Sequence, residues 1–132
     1  MIKTDLKYEV NDKVREDNTA LYLKSGTLKV YSTIAMLNRM EEASYKCIEN
    51  YIDEGKTSVG VLMNVEHISA SPVGADIRVV SEVSSVSDDG RSIEFSVSAY
   101  DNSGLIGCGT HKRVIVTEER FIDKCYKKLE GK

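Results

Sequence analysis

The stretch Tyr31-Ser32-Thr33-Ile34-Ala35-Met36-Leu37-Asn38-Arg39-Met40-Glu41-Glu42 decides how this chain is read. It opens a helix. The hydroxyl of Ser32 or Thr33 can accept a hydrogen bond from the free N–H groups of a first turn. Apolar residues then recur at helical spacing as far as Tyr51 and Ile52. Gly55 can close the helix, because glycine takes the left-handed conformation at little cost. The pattern predicts one long helix from about Thr33 to Glu54. On a wheel of about 100° per residue, Met36, Leu37, Ala43, Cys47, Ile48 and Tyr51 fall within about 80° of Met40. Ile34 and Ile52 lie on the margin of that stripe at about 120°, and Glu41 lies beside them at about 100°. Glu42, at about 200°, joins Asn38, Glu49 and Asp53 on the polar side. Glu42 is therefore expected in water, and Glu41 at the edge of the buried face. A carboxylate placed there must find partners, become neutral or reach a cavity.

Downstream of Gly55 the apolar period changes from helical to alternating. Residues 57–70, 75–87, 91–101 and 105–117 are rich in Val, Ile, Ser and Thr and read as strands. Ser71-Pro72-Val73-Gly74, Asp88-Asp89-Gly90 and Asp101-Asn102-Ser103-Gly104 supply turns between them. Such short turns predict an antiparallel meander. Residues 119–130 read as a short closing helix. Upstream, 6–14 is a weakly patterned strand, 15–26 an irregular connection with a helical turn, and 27–31 a short strand. The sum is a single α+β domain over 1–132, one long helix laid on an antiparallel sheet.

The composition is that of a globular protein, with 41% apolar and 30% charged residues. A formal net charge of −3, with acids and bases mixed along the chain, argues against nucleic acid or an anionic membrane as a partner. No apolar run approaches the roughly 20 residues that span a bilayer, and the first residues lack a signal-peptide pattern; a cytoplasmic location is the expectation. Cys47, Cys108 and Cys125 are odd in number and lack metal-ligand spacing, so neither disulfides nor zinc is indicated.

Two further polar residues fall where apolar ones are expected. By the two-residue period, Val59, Val61, Met63 and Val65 share the strand face that packs on the helix, and His67 ends that row. A lone histidine there is ordinarily a satisfied core residue. A histidine and a glutamate projecting toward one region from different elements make a candidate site. Thr33, at the helix start, lies where N–H groups and the positive dipole end can meet an oxyanion, although plain capping is the simpler reading. His111, among Gly107, Gly109 and Thr110, is read as structural.

These residues resemble the hot-dog-fold thioesterases, in the branch typified by fluoroacetyl-CoA thioesterase. The matching segments are Ser25-Gly26-Thr27-Leu28-Lys29-Val30-Tyr31-Ser32-Thr33 leading to Met40-Glu41-Glu42-Ala43, then Ser58-Val59-Gly60, Val65 to Gly74, and Ile106-Gly107-Cys108-Gly109-Thr110-His111-Lys112-Arg113. The resemblance implies a hot-dog fold and hydrolysis of an acyl-CoA, or a related acyl thioester, to free acid and thiol. Thr33, Glu41 and His67 match the family's catalytic threonine, glutamate and histidine; Gly60 and Arg113 match substrate-binding positions. It implies no metal and no cofactor beyond the coenzyme A of the substrate, and a homodimer or dimer of dimers with the site near the subunit boundary. Glu41 would act as a general base on water or as a nucleophile. Phe95 and Phe121 are the only phenylalanines, and neither lies before the helix; this argues against fluoroacetyl specificity. The alternative is a hot-dog module that binds acyl-CoA without hydrolysing it. A hydratase of the same fold would need a differently spaced Asp/His pair, which is not found.

Overall fold

The computed structural model describes residues 1–131. Its elements run β1 (Lys7–Lys13), α1 (Thr33–Ile48), β2 (Lys56–His67), β3 (Asp76–Val86), β4 (Ser92–Asp101), β5 (Gly104–Thr117) and α2 (Glu118–Tyr126). The strands form one antiparallel sheet in the order β1-β3-β4-β5-β2. The meander expected of four successive strands holds only for β3, β4 and β5. β2 instead crosses to the far side of β5, and among the described residues no strand pairs with its outer edge.

Helix α1 lies on one face of this sheet. Met36, Met40, Ala43 and Ile48 of α1 are fully buried against Ile77, Val79 and Val83 of β3, Ile93, Phe95, Val97 and Ala99 of β4, and Ile106 of β5. Each large side chain so buried contributes about 1.5–3 kcal/mol. The apolar stripe of the helix was legible; its length was not. The α-helix ends at Ile48 and tightens into a 3₁₀ turn at Glu49–Tyr51. Gly55, with φ +85°, serves the turn into β2 rather than the helix end. Tyr51 is correspondingly 45% exposed. Residues 27–31 form no strand: Val30 and Tyr31 make isolated bridges to Pro72 and Thr19.

The largest departure from the alternating pattern lies in β2. Its register with β5 shifts between Gly60 and Leu62, leaving Val61 as an extra residue. A bulge inverts the side-chain alternation on either side of it. Met63, Val65 and His67 keep the expected helix-facing row. Below the bulge, Ser58 and Gly60 take that face, and Val61 is 53% exposed.

Candidate active site

The first turn of α1 separates two roles the sequence left joined. Ser32 is the cap, its hydroxyl accepting from the Ala35 N–H at 2.9 Å. Thr33 is thereby released, and its Oγ1 lies 2.8 Å from His67 Nδ1 at the end of β2. His67 Nε2 is buried without a hydrogen-bond partner among the described residues. Burial, only partly opposed by a Ser69 backbone group, lowers the His67 pKa, so the imidazole is neutral near pH 7. With Thr33 donating to Nδ1, the idle nitrogen is an N–H donor; with Nδ1 donating, it is a base. Thr33 and His67 line a cavity of about 300 Å³ with Ala20, Val30, Ile68 and Ala70.

Glu41 stands eight residues further along α1, about 12 Å down the helix axis. Its surroundings are different. Glu41 Oε2 lies 3.7 Å from Nη1 of Arg113, whose side chain is only 10% exposed. Arg113 is held from behind: Nε donates to Ser58 Oγ at 2.8 Å, Nη2 to Ser58 O at 3.1 Å, and Nη1 to His111 Nε2 at 3.2 Å. These bonds fix the tautomer of His111. Its Nδ1 is 2.8 Å from the Leu62 carbonyl, which can only accept, so Nδ1 carries the proton and Nε2 is free to accept from Arg113. His111 is 1% exposed and stacks on Phe95 with ring centroids 5.9 Å apart. Burial chiefly lowers its pKa, with the Arg113 charge adding to that and Glu41 opposing it. Burial also lowers the Arg113 pKa, against the pull of Glu41; a guanidinium stays charged regardless.

Gly60 is required where these groups meet. A Cβ there would lie 2.5 Å from Glu41 Oε2, 3.1 Å from His111 Cε1 and 3.3 Å from Arg113 Nη1.

The structure thus joins Thr33 to His67, and Glu41 to Gly60 and Arg113, without joining the two groups. Three expectations need correction. Within one chain Glu41 is the more open glutamate, its side chain 49% exposed against 23% for Glu42. Glu42 is drawn in by Arg39 and by Lys46 at 2.8 Å. The wheel ranked direction correctly but could not foresee that pairing. Second, within one chain His67 does not meet Glu41; it meets Thr33. Third, His111 was given only a generic structural role; it is the acceptor that orients Arg113. The signal was present, since residues 109, 111 and 113 share one strand face by the two-residue period. What hid it was the bulge that brings the Leu62 carbonyl to the imidazole.

Among the described residues no helix is long and apolar enough to cross a membrane. The family model for fluoroacetyl-CoA-specific thioesterases matches residues 14–119. Over 100 residues the chain is 35% identical to the fluoroacetyl-CoA thioesterase of Streptantibioticus cattleyicolor, covering 76% of this chain and 70% of that protein. The solved fluoroacetyl-CoA thioesterase superposes with a TM-score of 0.89 at 28% identity, over 97% of this chain and 98% of that one. A thioesterase superfamily member from Thermus thermophilus gives 0.88 at 25% identity, over 98% and 94%. A hot-dog-like protein from Thermanaerovibrio acidaminovorans, 23% identical, gives 0.90 over 99% and 96%, which bears on the fold.

Proposed function

We propose that this chain, which belongs to the fluoroacetyl-CoA-specific thioesterase family and is a thioester hydrolase, cleaves acyl-CoA at a site built from two copies of itself. The observation that carries the shared site is the separation just described. The start of α1 holds a threonine and an imidazole with an idle nitrogen; its middle holds a carboxylate beside a buried guanidinium. Neither half is complete.

The outer edge of β2 offers a way to join them. It is unpaired in the sheet order, and Val61 and Leu62 on it are 53% and 49% exposed. Natural proteins rarely leave such an edge open. Two-fold pairing sets every contact twice. An axis between Met63 and Asn64 would set Gly60, and Glu41 beside it, across from His67 of the second copy. The second copy would also shield Glu41, which is half open in the single chain.

In this arrangement Glu41 takes a proton from water as the water oxygen attacks the thioester carbonyl. The C–S bond then breaks, and the proton passes to the leaving thiolate through His67 Nε2. Thr33 holds the imidazole in place. Arg113 faces the Glu41 carboxylate, and Gly60 lets the thioester lie close to backbone. This chemistry calls on no metal or cofactor beyond the coenzyme A of the substrate. Fluoroacetyl specificity forms no part of the proposal: Phe95 is wholly buried beneath His111, and Phe121 lies on α2. Cys47, Cys108 and Cys125 are free thiols, two of them exposed, which supports a reducing compartment such as the cytoplasm.

The test is complementation, with thiol release followed over a panel of acyl-CoA chain lengths. Glu41→Gln and the double variant Thr33→Ala/His67→Ala should each be inactive. Co-assembled, they should regain about a quarter of wild-type activity, because half of a random mixture is heterodimer with one intact site. A mixture that stays inactive, or a fully active monomer, removes the shared site.

A further inference from the structure

At the end of the sheet where β2 begins, the chain gathers four cations around one groove. Lys56 opens β2, Arg91 precedes β4, and Arg120 and Lys124 project from α2; the groove encloses about 550 Å³. Among the described residues no acidic side chain lines it. The protein carries a net charge of −3, so an all-positive concavity is not an average sample of its surface. Several basic side chains elsewhere are paired, as Lys13 is with Asp76, Lys29 with Glu16 and Lys46 with Glu42. Among the described residues none of these four takes part in an ion pair.

Helix α2 sorts its charges to the same end. Arg120 and Lys124 are spaced i, i+4 on the groove side, an arrangement that disfavours the helix by mutual repulsion. Glu118, Glu119 and Asp123 line a neighbouring cavity, which Arg120 also borders, rather than the groove itself. Between the two cations Phe121 also faces the groove and is 42% exposed, as a stacking surface for a base would be. Two guanidinium forks, two ammonium groups and an aromatic ring match a purine nucleotide carrying several phosphates. The groove is also of the size that holds a ligand of that class.

Its position relates it to the reacting centre. Lys56 lies four residues along β2 from Gly60, about 13 Å away, and Gly60 abuts Glu41. We propose that this groove binds the phosphorylated adenosine end of coenzyme A, with the pantetheine arm spanning the distance to Glu41. The proposal rests on the acyl-CoA hydrolase reading and adds a means of telling coenzyme A from a carrier-protein thioester.

The experiment compares wild type, Arg120→Ala/Lys124→Ala, Phe121→Ala, and a control that removes two charges elsewhere, Lys3→Ala/Lys7→Ala. Each is assayed on an acyl-CoA, on the acyl-pantetheine that lacks the nucleotide, and on an acyl carrier protein; free coenzyme A is titrated calorimetrically. Wild type should favour acyl-CoA over acyl-pantetheine by more than tenfold in kcat/KM. The groove variants should bring that ratio close to one, mainly through KM, and weaken coenzyme A binding tenfold or more. Phe121→Ala should act in the same direction by less, and the control should retain the wild-type ratio. An unchanged ratio with unchanged coenzyme A affinity overturns the proposal, as does a defect confined to the carrier-protein substrate. Absence of turnover on every thioester would instead defeat the hydrolase reading, and the calorimetric comparison would still decide the groove.

Discussion

The Arg113 guanidinium faces the Glu41 carboxylate at 3.7 Å, but it is Ser58 and His111 that hold it there. Arg113 is therefore in place before Glu41 is, and Glu41 remains free to move toward a substrate. Glu41→Gln keeps the shape and removes the base. It should lower kcat by a factor of about 10²–10⁴, the usual contribution of a positioned acid–base group. Glu42→Gln breaks partly exposed pairs to Arg39 and Lys46, worth at most about 1 kcal/mol together, and should leave kcat near wild type. Thiol release on one acyl-CoA compares the two, and equal activity would remove Glu41 from the mechanism.

His111 extends that argument one step behind the carboxylate. Replacing it by Phe keeps the stack on Phe95 but removes both the acceptor for Arg113 and the donor to the Leu62 carbonyl. The buried groups so orphaned should cost about 1–3 kcal/mol each in stability, and kcat should fall at least tenfold as Arg113 loses its aim. His111→Gln offers an amide oxygen to Arg113 and an amide N–H to Leu62, and should restore part of kcat. Turnover of His111→Phe at the wild-type rate would mean that Arg113 needs no such support.

Ser32 and Thr33 are adjacent hydroxyls with separable tasks. Ser32→Ala removes the cap of α1 and should destabilise the fold by about 1 kcal/mol, within the 0.5–2 kcal/mol range of lost caps. Its kcat should change little in the folded fraction. Thr33→Ala leaves the cap intact and takes away the partner of His67 Nδ1, so kcat should drop with little change in denaturant midpoint. Urea unfolding and steady-state kinetics on both variants would expose any exchange of these roles.

Much of this was legible in particular residues. Met36, Met40, Ala43 and Ile48 announce their buried face by spacing alone, and the turns at 88–90 and 101–104 place the boundaries of β3, β4 and β5. Thr33 and His67 were each singled out, one at a helix start and one at the end of a strand row, but their direct contact was not. The misreadings share a cause: each depended on a partner distant in sequence. Nothing local tells that β2 pairs with β5 rather than β3, or that it inserts Val61 while doing so. The Val59–Val61 row was assigned to the helix face because alternation was carried through a bulge that only the β5 register reveals. Likewise the relative exposure of Glu41 and Glu42 depends on Arg39 and Lys46, which a wheel of apolar residues does not weigh.

The two histidines also set a pH dependence of stability. Burial lowers both folded-state pKa values below the ordinary 6.5. The folded protein therefore takes up these protons later than the unfolded chain as pH falls. Stability should be flat above about pH 7 with respect to these groups and decline as pH drops below 6.5, by up to about 1.4 kcal/mol per pH unit for each histidine while only the unfolded state is protonated. His67 is partly open to solvent, so its share should be the smaller. Denaturant midpoints at pH 5, 6, 7 and 8 give the slope, and His111→Gln should shallow it. A slope that rises toward acid pH would mean that the folded imidazoles are cationic.

Gly60→Ala tests the crowding at the carboxylate most directly. The added methyl would lie 2.5 Å from Glu41 Oε2, inside any tolerable contact, and 3.1 Å from His111 Cε1. The Glu41 side chain is half exposed and flexible, so it can swing away; His111, buried and bonded at both nitrogens, has to give by only a few tenths of an ångström. The fold should consequently survive with a small loss of stability, and alanine recovers part of what glycine costs in a strand. Catalysis should not be spared, because the displaced carboxylate no longer points where the water must be activated. The expected result is a kcat reduced by at least tenfold, a KM changed far less, and a midpoint of thermal unfolding within a few degrees of wild type. An active Gly60→Ala enzyme would show that Glu41 does its work from some other position than the one it holds here.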